Sequence, residues 1–170
     1  PNGADTNFLK PKPPNQNLIS KWGLENKQVF LYVGTHAFYH GLDVIIETAS
    51  LLKNNQNIIF LMVGEGPERI RIIQMAESKK LNNVKFEQSP YSEMAELYSI
   101  AYASIASLRN INVAKQMRLS KIFPSLSCEV PVIYVGKGEA ANIIISNNCG
   151  ITVEPENPTA LAKAILSISE

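Results

Sequence analysis

The chain has 170 residues, of which 45% are hydrophobic and 18% charged, and its formal net charge is +1. This is one domain's length with enough apolar material for a packed core, which excludes a disordered or fibrous polymer. The near-neutral charge offers no global attraction to nucleic acid, and no nucleic-acid partner is expected.

In chain order, the first segment, residues 1–27, is proline-rich and polar and reads as an interdomain linker with one short helix near Leu18–Trp22. Val29–Val33 is a short apolar run ending at Gly34, the pattern of a buried strand. Leu42, Ile45, Ile46, Ala49 and Leu52 then share one helix face. Ile58–Val63 is a second buried strand, stopped by Gly64-Glu65-Gly66-Pro67 and followed by a helix from about Glu68 to Lys80. Val84–Phe86 is a third, shorter strand. After Ser92, Met94, Leu97, Tyr98 and Ala101 repeat at helical spacing. Ala103–Ala106 and Val132–Val135 read as strands, Glu139–Ser146 as a helix and Gly150–Val153 as a last strand. Asn157-Pro158 opens a final helix that turns Leu161, Ile165 and Ile168 inward.

Repeated βα units predict an α/β fold over residues 28–170: a doubly wound, Rossmann-like parallel sheet of about six strands with helices on both faces. Such a sheet binds its ligands beyond the carboxyl ends of the strands. The longest apolar runs have strand length and cannot span a bilayer. Cys128 and Cys149 lack CxxC spacing, so neither a disulfide nor a metal framework is expected, and a reducing compartment suits them.

The chemistry is expected in the loops after the strands. Gly34-Thr35-His36-Ala37-Phe38-Tyr39-His40-Gly41 leads into a helix whose N–H groups suit a phosphate; it reads equally as a tight turn with two surface histidines. The two histidines, with no carboxylate or cysteine close in sequence, make a poor metal site, and none is expected. Gly64–Pro67 reads first as a turn. Glu87-Gln88-Ser89-Pro90-Tyr91 is polar with one aromatic and suits a nucleobase. Between Glu96 and Glu129 there is no acidic residue, yet Arg109, Lys115, Arg118 and Lys121 all occur there. That basic stretch is suited to clamping a diphosphate, or is a solvated loop or a surface facing anionic lipid. Gly136-Lys137-Gly138-Glu139-Ala140-Ala141 joins a strand to a helix and offers backbone amides to a sugar. No nucleophilic triad, HExxH or Walker-type GxxxxGK[ST] motif occurs.

An ordered series of motifs resembles the donor half of family 4 retaining glycosyltransferases of the GT-B fold. It runs from Pro1-Asn2-Gly3-Ala4-Asp5 through Val33-Gly34-Thr35, His40-Gly41-Leu42-Asp43, Val63-Gly64-Glu65-Gly66-Pro67 and Asn83-Val84-Lys85-Phe86. It continues through Ser120-Lys121-Ile122-Phe123, Pro131-Val132-Ile133 and Gly138-Glu139-Ala140. The Ser-Lys-Ile-Phe and Gly-Glu-Ala-Ala segments are most similar to the fucosamine-transferase branch of bacterial O-antigen and capsule synthesis. The resemblance implies a nucleoside-diphosphate sugar as substrate, UDP-linked and carrying an N-acetylated amino sugar. It also implies a lipid-linked acceptor at the cytoplasmic face of the plasma membrane, transfer with retention, and no metal or other cofactor. It further implies an N-terminal acceptor domain on the same polypeptide, without which the isolated domain binds donor but does not catalyse transfer.

Carried over by residue, the diphosphate falls to Gly34, Thr35, His40, Arg109 and Lys121, the nucleoside to Ser89, Tyr91 and Gln116, and the donor sugar to Gly138, Glu139 and Ala140. No catalytic residue is assigned. The chain departs from the family at three places. Thr35 and His40 stand where many relatives carry Arg and Lys. Gln116 and Pro124 occupy the paired-glutamate positions, and Glu129 a usual glycine. These departures fit either a branch variant or a non-catalytic module with a decayed site. A flavodoxin-like or receiver domain fits less well, since the first-strand region lacks an acidic cluster and no loop matches a flavin phosphate site.

Overall fold

The computed structural model describes residues 3–112 and 119–169. Six parallel strands form one sheet in the order β3-β2-β1-β4-β5-β6. They are β1 (Gln28–Val33), β2 (Ile58–Val63), β3 (Val84–Glu87), β4 (Ala103–Ser107), β5 (Val132–Val135) and β6 (Gly150–Val153). The helices are α1 (Gln16–Trp22), α2 (Asp43–Leu51), α3 (Arg69–Ser78), α4 (Met94–Ser99), α5 (Ile122–Ser127), α6 (Glu139–Ser146) and α7 (Pro158–Ser169). The doubly wound sheet expected from the sequence is therefore the observed one.

Strand alternation divides the core. Phe30, Tyr32, Phe60 and Met62 point to one face and pack with Ile45, Ile46 and Ala49 of α2 and Leu161 and Ile165 of α7. Val29, Leu31, Ile59, Leu61 and Val63 point to the other, against Ala95, Leu97 and Tyr98 of α4. Because both faces are covered, β2 is buried along all six residues, and its sequence is a continuous apolar run. A third cluster joins Val132 and Tyr134 to Ala140, Ala141 and Ile144 of α6.

The segment 3–27 forms the expected short helix but does not behave as a free linker. Asn15 caps α1 by accepting from the Leu18 amide at 3.1 Å, and Gly23 ends it at φ +58°. Leu9, Trp22 and Leu24 are buried in the same cluster as β1 and β2. Lys12 and Asn15 both reach the Glu96 carboxylate, at 2.5 and 3.0 Å. A boundary at residue 27 therefore cuts through a packed core.

Pro124 stands in the first turn of α5, where its missing N–H costs the helix nothing. Glu129 follows that helix at φ +58°, with the Val130 amide reaching back to the Ser125 carbonyl at 3.0 Å. This left-handed closing position is one that glycine fills without strain. Glu129→Gly is expected to stabilise the fold by about 0.5–1 kcal/mol, seen as a higher urea midpoint: the left-handed cost less the entropy that glycine adds to the unfolded chain. An unchanged or lowered midpoint would count against strain at this position.

Candidate functional site

The strand order reverses direction between β1 and β4, so a crevice opens beyond their carboxyl ends. The loop after β1 and Lys121, just ahead of α5, meet there. Gly34, at φ +143°, lies under the Lys121 side chain; a Cβ there would sit 2.4 Å from Nζ. Only glycine lets the lysine lie down on the β1 loop. Lys121 Nζ donates to the Tyr32 hydroxyl at 2.7 Å and stands 4.7 Å from the centre of that ring. The Tyr32 hydroxyl in turn donates to the Thr35 carbonyl at 2.8 Å.

Both histidines lie beneath this chain, not on the surface. His36 is fully buried and His40 is 3% exposed. His40 Nδ1 lies 3.2 Å from the Ser107 carbonyl at the end of β4, and the Ser107 hydroxyl donates to the His40 carbonyl at 2.6 Å. Among the described residues, neither ring nitrogen of His36 has a hydrogen-bond partner. Burial pushes the Lys121 amine down to about 7. Burial, then the positive charges of Arg69 and Lys121, push His36 down to about 4. Burial followed by Lys121 does the same to His40, to about 4. Burial raises the Tyr32 phenol above its ordinary range. The result is a pocket whose titratable groups are all pushed toward their uncharged forms.

The β2 loop supports the β1 loop. The His36 amide donates to the Glu65 carbonyl at 2.7 Å, and the Glu68 amide to the His36 carbonyl at 2.9 Å. A Cβ on Gly66, at φ +149°, would come within 2.5 Å of that His36 carbonyl oxygen. The Gly64–Pro67 turn thus acts as a brace for the first loop.

Of the residues assigned from the sequence, Gly34, Thr35, His40 and Lys121 come together. Arg109 lies against the same loop but is engaged by protein groups. Its guanidinium pairs with Asp43 and with Glu156 (3.0 Å), donates to the Phe38 carbonyl at 2.8 Å, and stacks 4.5 Å from the Phe38 ring. Asp43 opens α2 and also pairs with Arg71 at 2.5 Å; burial works against its charge, yet these hydrogen bonds and positive charges hold its carboxyl below the usual range. The α2 N-terminus expected to receive a phosphate therefore already carries a carboxylate. Arg109→Met is expected to destabilise the fold by about 1–2 kcal/mol in urea unfolding, the scale of a charged hydrogen bond. A loss below the error of the midpoint would show that these pairs are superficial.

Ser89 donates to the Glu93 carboxylate at 2.6 Å, and Tyr91 is exposed, with its ring 5.4 Å from Phe8. Among the described residues no hydrogen bond or ring contact joins them to the Lys121 cluster. Gly138, at φ +94°, precedes α6, and Glu139 lies in its first turn. Ala140 is buried, which leaves its backbone rather than its methyl for a ligand. Gln116, with Lys115 and Arg118, lies outside the described residues. The sequence places His36 in the ligand loop without assigning it a role, and it gives no sign of Tyr32. Tyr32 sits inside an apolar strand run, where its hydroxyl leaves no periodic signal.

Residues 15–170 match the family model described as glycosyl transferases group 1. A putative colanic acid biosynthesis glycosyl transferase of Escherichia coli, WcaI, is 36% identical over 62 residues, covering 36% of this chain and 15% of that protein. The HepE protein of Anabaena, solved with UDP and glucose, superposes over 99% of this chain with a TM-score of 0.85 at 19% identity. WaaG, a glycosyltransferase involved in lipopolysaccharide biosynthesis, superposes over all of it with a TM-score of 0.81 at 19% identity. The chain spans 46% of each of these two solved proteins. No helix among the described residues is long and apolar enough to cross a membrane. With the family model matching all but its first fourteen residues, the chain belongs to the group 1 glycosyltransferases.

Proposed function

We propose that this chain is the donor-binding domain of a retaining glycosyltransferase that takes a sugar from a UDP donor in bacterial surface-polysaccharide synthesis. The donor sugar in this reading is an N-acetylated amino sugar. The acceptor is a lipid-linked saccharide, met at the cytoplasmic face of the plasma membrane through an N-terminal domain. The observation that carries the reading is Lys121, a largely buried amine at the β1/β4 crevice with no described carboxylate paired to it. A buried cation site without its own anion is suited to receiving one from a ligand. The similarity to WcaI and WaaG supports the polysaccharide setting, and the UDP in HepE supports the nucleotide.

In this reading the diphosphate lies over Gly34 and Thr35, with Lys121 supplying the positive charge and His40 lining the floor. The leaving diphosphate is then stabilised by side chain and backbone without a metal. Gly138, Glu139 and the Ala140 backbone face the donor sugar, while Ser89, Tyr91 and Gln116 take the nucleoside. Arg109 holds the β1 loop through Asp43, Glu156 and Phe38 rather than touching phosphate.

Calorimetric titration of the chain with UDP, GDP, ADP and dTDP at matched salt tests the reading. Saturable binding with UDP preferred supports it, whereas a GDP or dTDP preference moves the donor within the same enzyme class. One observation favours a second reading, a decayed, non-catalytic module: Pro124 has no polar side-chain atom, and Arg109 is already paired. Binding of none of the four nucleotides would favour that module.

A further inference from the structure

Lys121 is set among groups that disfavour its charge. From β1 it meets the Tyr32 hydroxyl; the β1 loop contributes Gly34 and the neutral rings of His36 and His40, with Tyr39 4.4 Å from the His40 ring. From α3 the positive charge of Arg69 acts on His36. From β4 the Ser107 hydroxyl and carbonyl are both used by His40. Among the described residues, acids of the β2 turn and of α2 are paired with arginines: Glu65 with Arg69 at 3.6 Å, Glu68 with Arg71 at 2.6 Å, and Asp43 with Arg71 and Arg109. The sequence offers no acid from residue 97 to residue 128 that could approach from the connection to α5. An unpaired ammonium in such surroundings is costly. The hydrogen-bond chain from Lys121 through Tyr32 to the Thr35 carbonyl satisfies a neutral amine equally well.

We propose that Lys121 rests as a neutral amine on Tyr32 and takes up a proton from solvent when a diphosphate enters, so that donor binding is coupled to protonation. The inference rests on the donor-binding reading. No covalent bond changes; one solvent proton is added to Nζ, and the ammonium so formed pairs with a phosphate oxygen. Affinity then falls as pH rises, because above the resting midpoint the amine must be protonated as part of binding. Between pH 7 and 8.5 the UDP dissociation constant is expected to rise roughly tenfold, one proton's linkage over that interval. The terminal phosphate of UDP, with its second ionisation near ~6, is already ionised across this range and adds little of its own.

UDP is titrated calorimetrically at pH 8 in buffers of different ionisation enthalpy. The dependence of heat on buffer is expected to give close to one proton taken up per UDP. Lys121→Arg, which carries its charge at every pH, is expected to bind with no uptake and no pH dependence over this range. A measurement free of any variant is the Lys121 side-chain carbon shift by NMR in the wild-type chain. Its midpoint is expected near neutrality without UDP and above pH 9 with saturating UDP. Binding without uptake, or a midpoint near 10 in the free chain, overturns the proton-coupling inference and leaves donor binding standing. Absence of binding of UDP, GDP, ADP and dTDP alike at every pH from 6 to 8.5 overturns the donor-binding reading, and this inference with it.

Discussion

Replacing Lys121 with alanine is expected to weaken UDP binding about 10- to 100-fold at pH 7, while Glu65→Ala changes it by less than about twofold. The first figure is the ~1.5–3 kcal/mol of a charge-assisted hydrogen bond to phosphate, converted at ~1.4 kcal/mol per decade. Glu65 pairs with Arg69 on the exposed side of the β2 turn, so its side chain contributes little to the crevice. The free fold is expected to respond in the opposite direction. Lys121 binds protons less readily in the folded chain than in the unfolded one, so its charge opposes folding below pH 7. That opposition fades as pH rises toward ~10.4, where the unfolded chain also loses the proton. Lys121→Ala should therefore leave the ligand-free chain at least as stable in urea at pH 7 while losing nucleotide. Equal binding losses from the two variants would contradict the assignment of Lys121 as the anion's partner.

Acid should unfold this chain from inside the same cluster. His36 and His40 titrate near 6.5 when unfolded and near 4 in the folded chain, first because they are buried and then because positive charge lies close, Arg69 and Lys121 for His36 and Lys121 for His40. Between those values the unfolded state binds more protons, so stability falls as pH is lowered from about 6.5 to about 4. The loss is of order 3 kcal/mol for each histidine at most, at ~1.4 kcal/mol per unit. His36→Phe is expected to flatten this acid limb. The ring lies among Tyr32 and Phe86, with centroids at 5.7 and 6.5 Å, and leaves two nitrogens unpaired, so an apolar ring suits the space. Urea midpoints for the wild type and the variant at pH 4.5, 5.5 and 6.5 measure the effect. Parallel acid limbs in the two proteins would show that His36 protonates without unfolding the chain.

The architecture was legible because the apolar patterning is local and strong. Ile58–Val63, Val132–Val135 and Gly150–Val153 read as strands with the boundaries they have in the structure. Glu87 extends β3 by one residue, since the edge strand is only half-buried and its end carries no apolar signal. Part of the site was legible too: Gly34 and Lys121 were singled out separately, and the fold brings them into contact. What the sequence could not convey was pairing over long separations. Arg109 reads as a free phosphate ligand until Asp43, sixty-six residues earlier, is seen against it. The histidine loop reads equally as a phosphate contact or as a turn with surface histidines, because nothing local shows that the β2 turn folds over His36. Leu9 and Trp22 sit in a proline-rich stretch that resembles a linker, and only their burial in the cluster of β1, β2 and α4 reveals them as core.

The most direct test of the central claim is a crystal structure of the chain grown or soaked with UDP. The diphosphate is expected at the β1/β4 crevice, with a phosphate oxygen within hydrogen-bond distance of Lys121 Nζ and over Gly34 and Thr35. Tyr32 should then have lost the lysine as a donor. A diphosphate bound elsewhere, with Lys121 still resting on the Tyr32 hydroxyl, would contradict it.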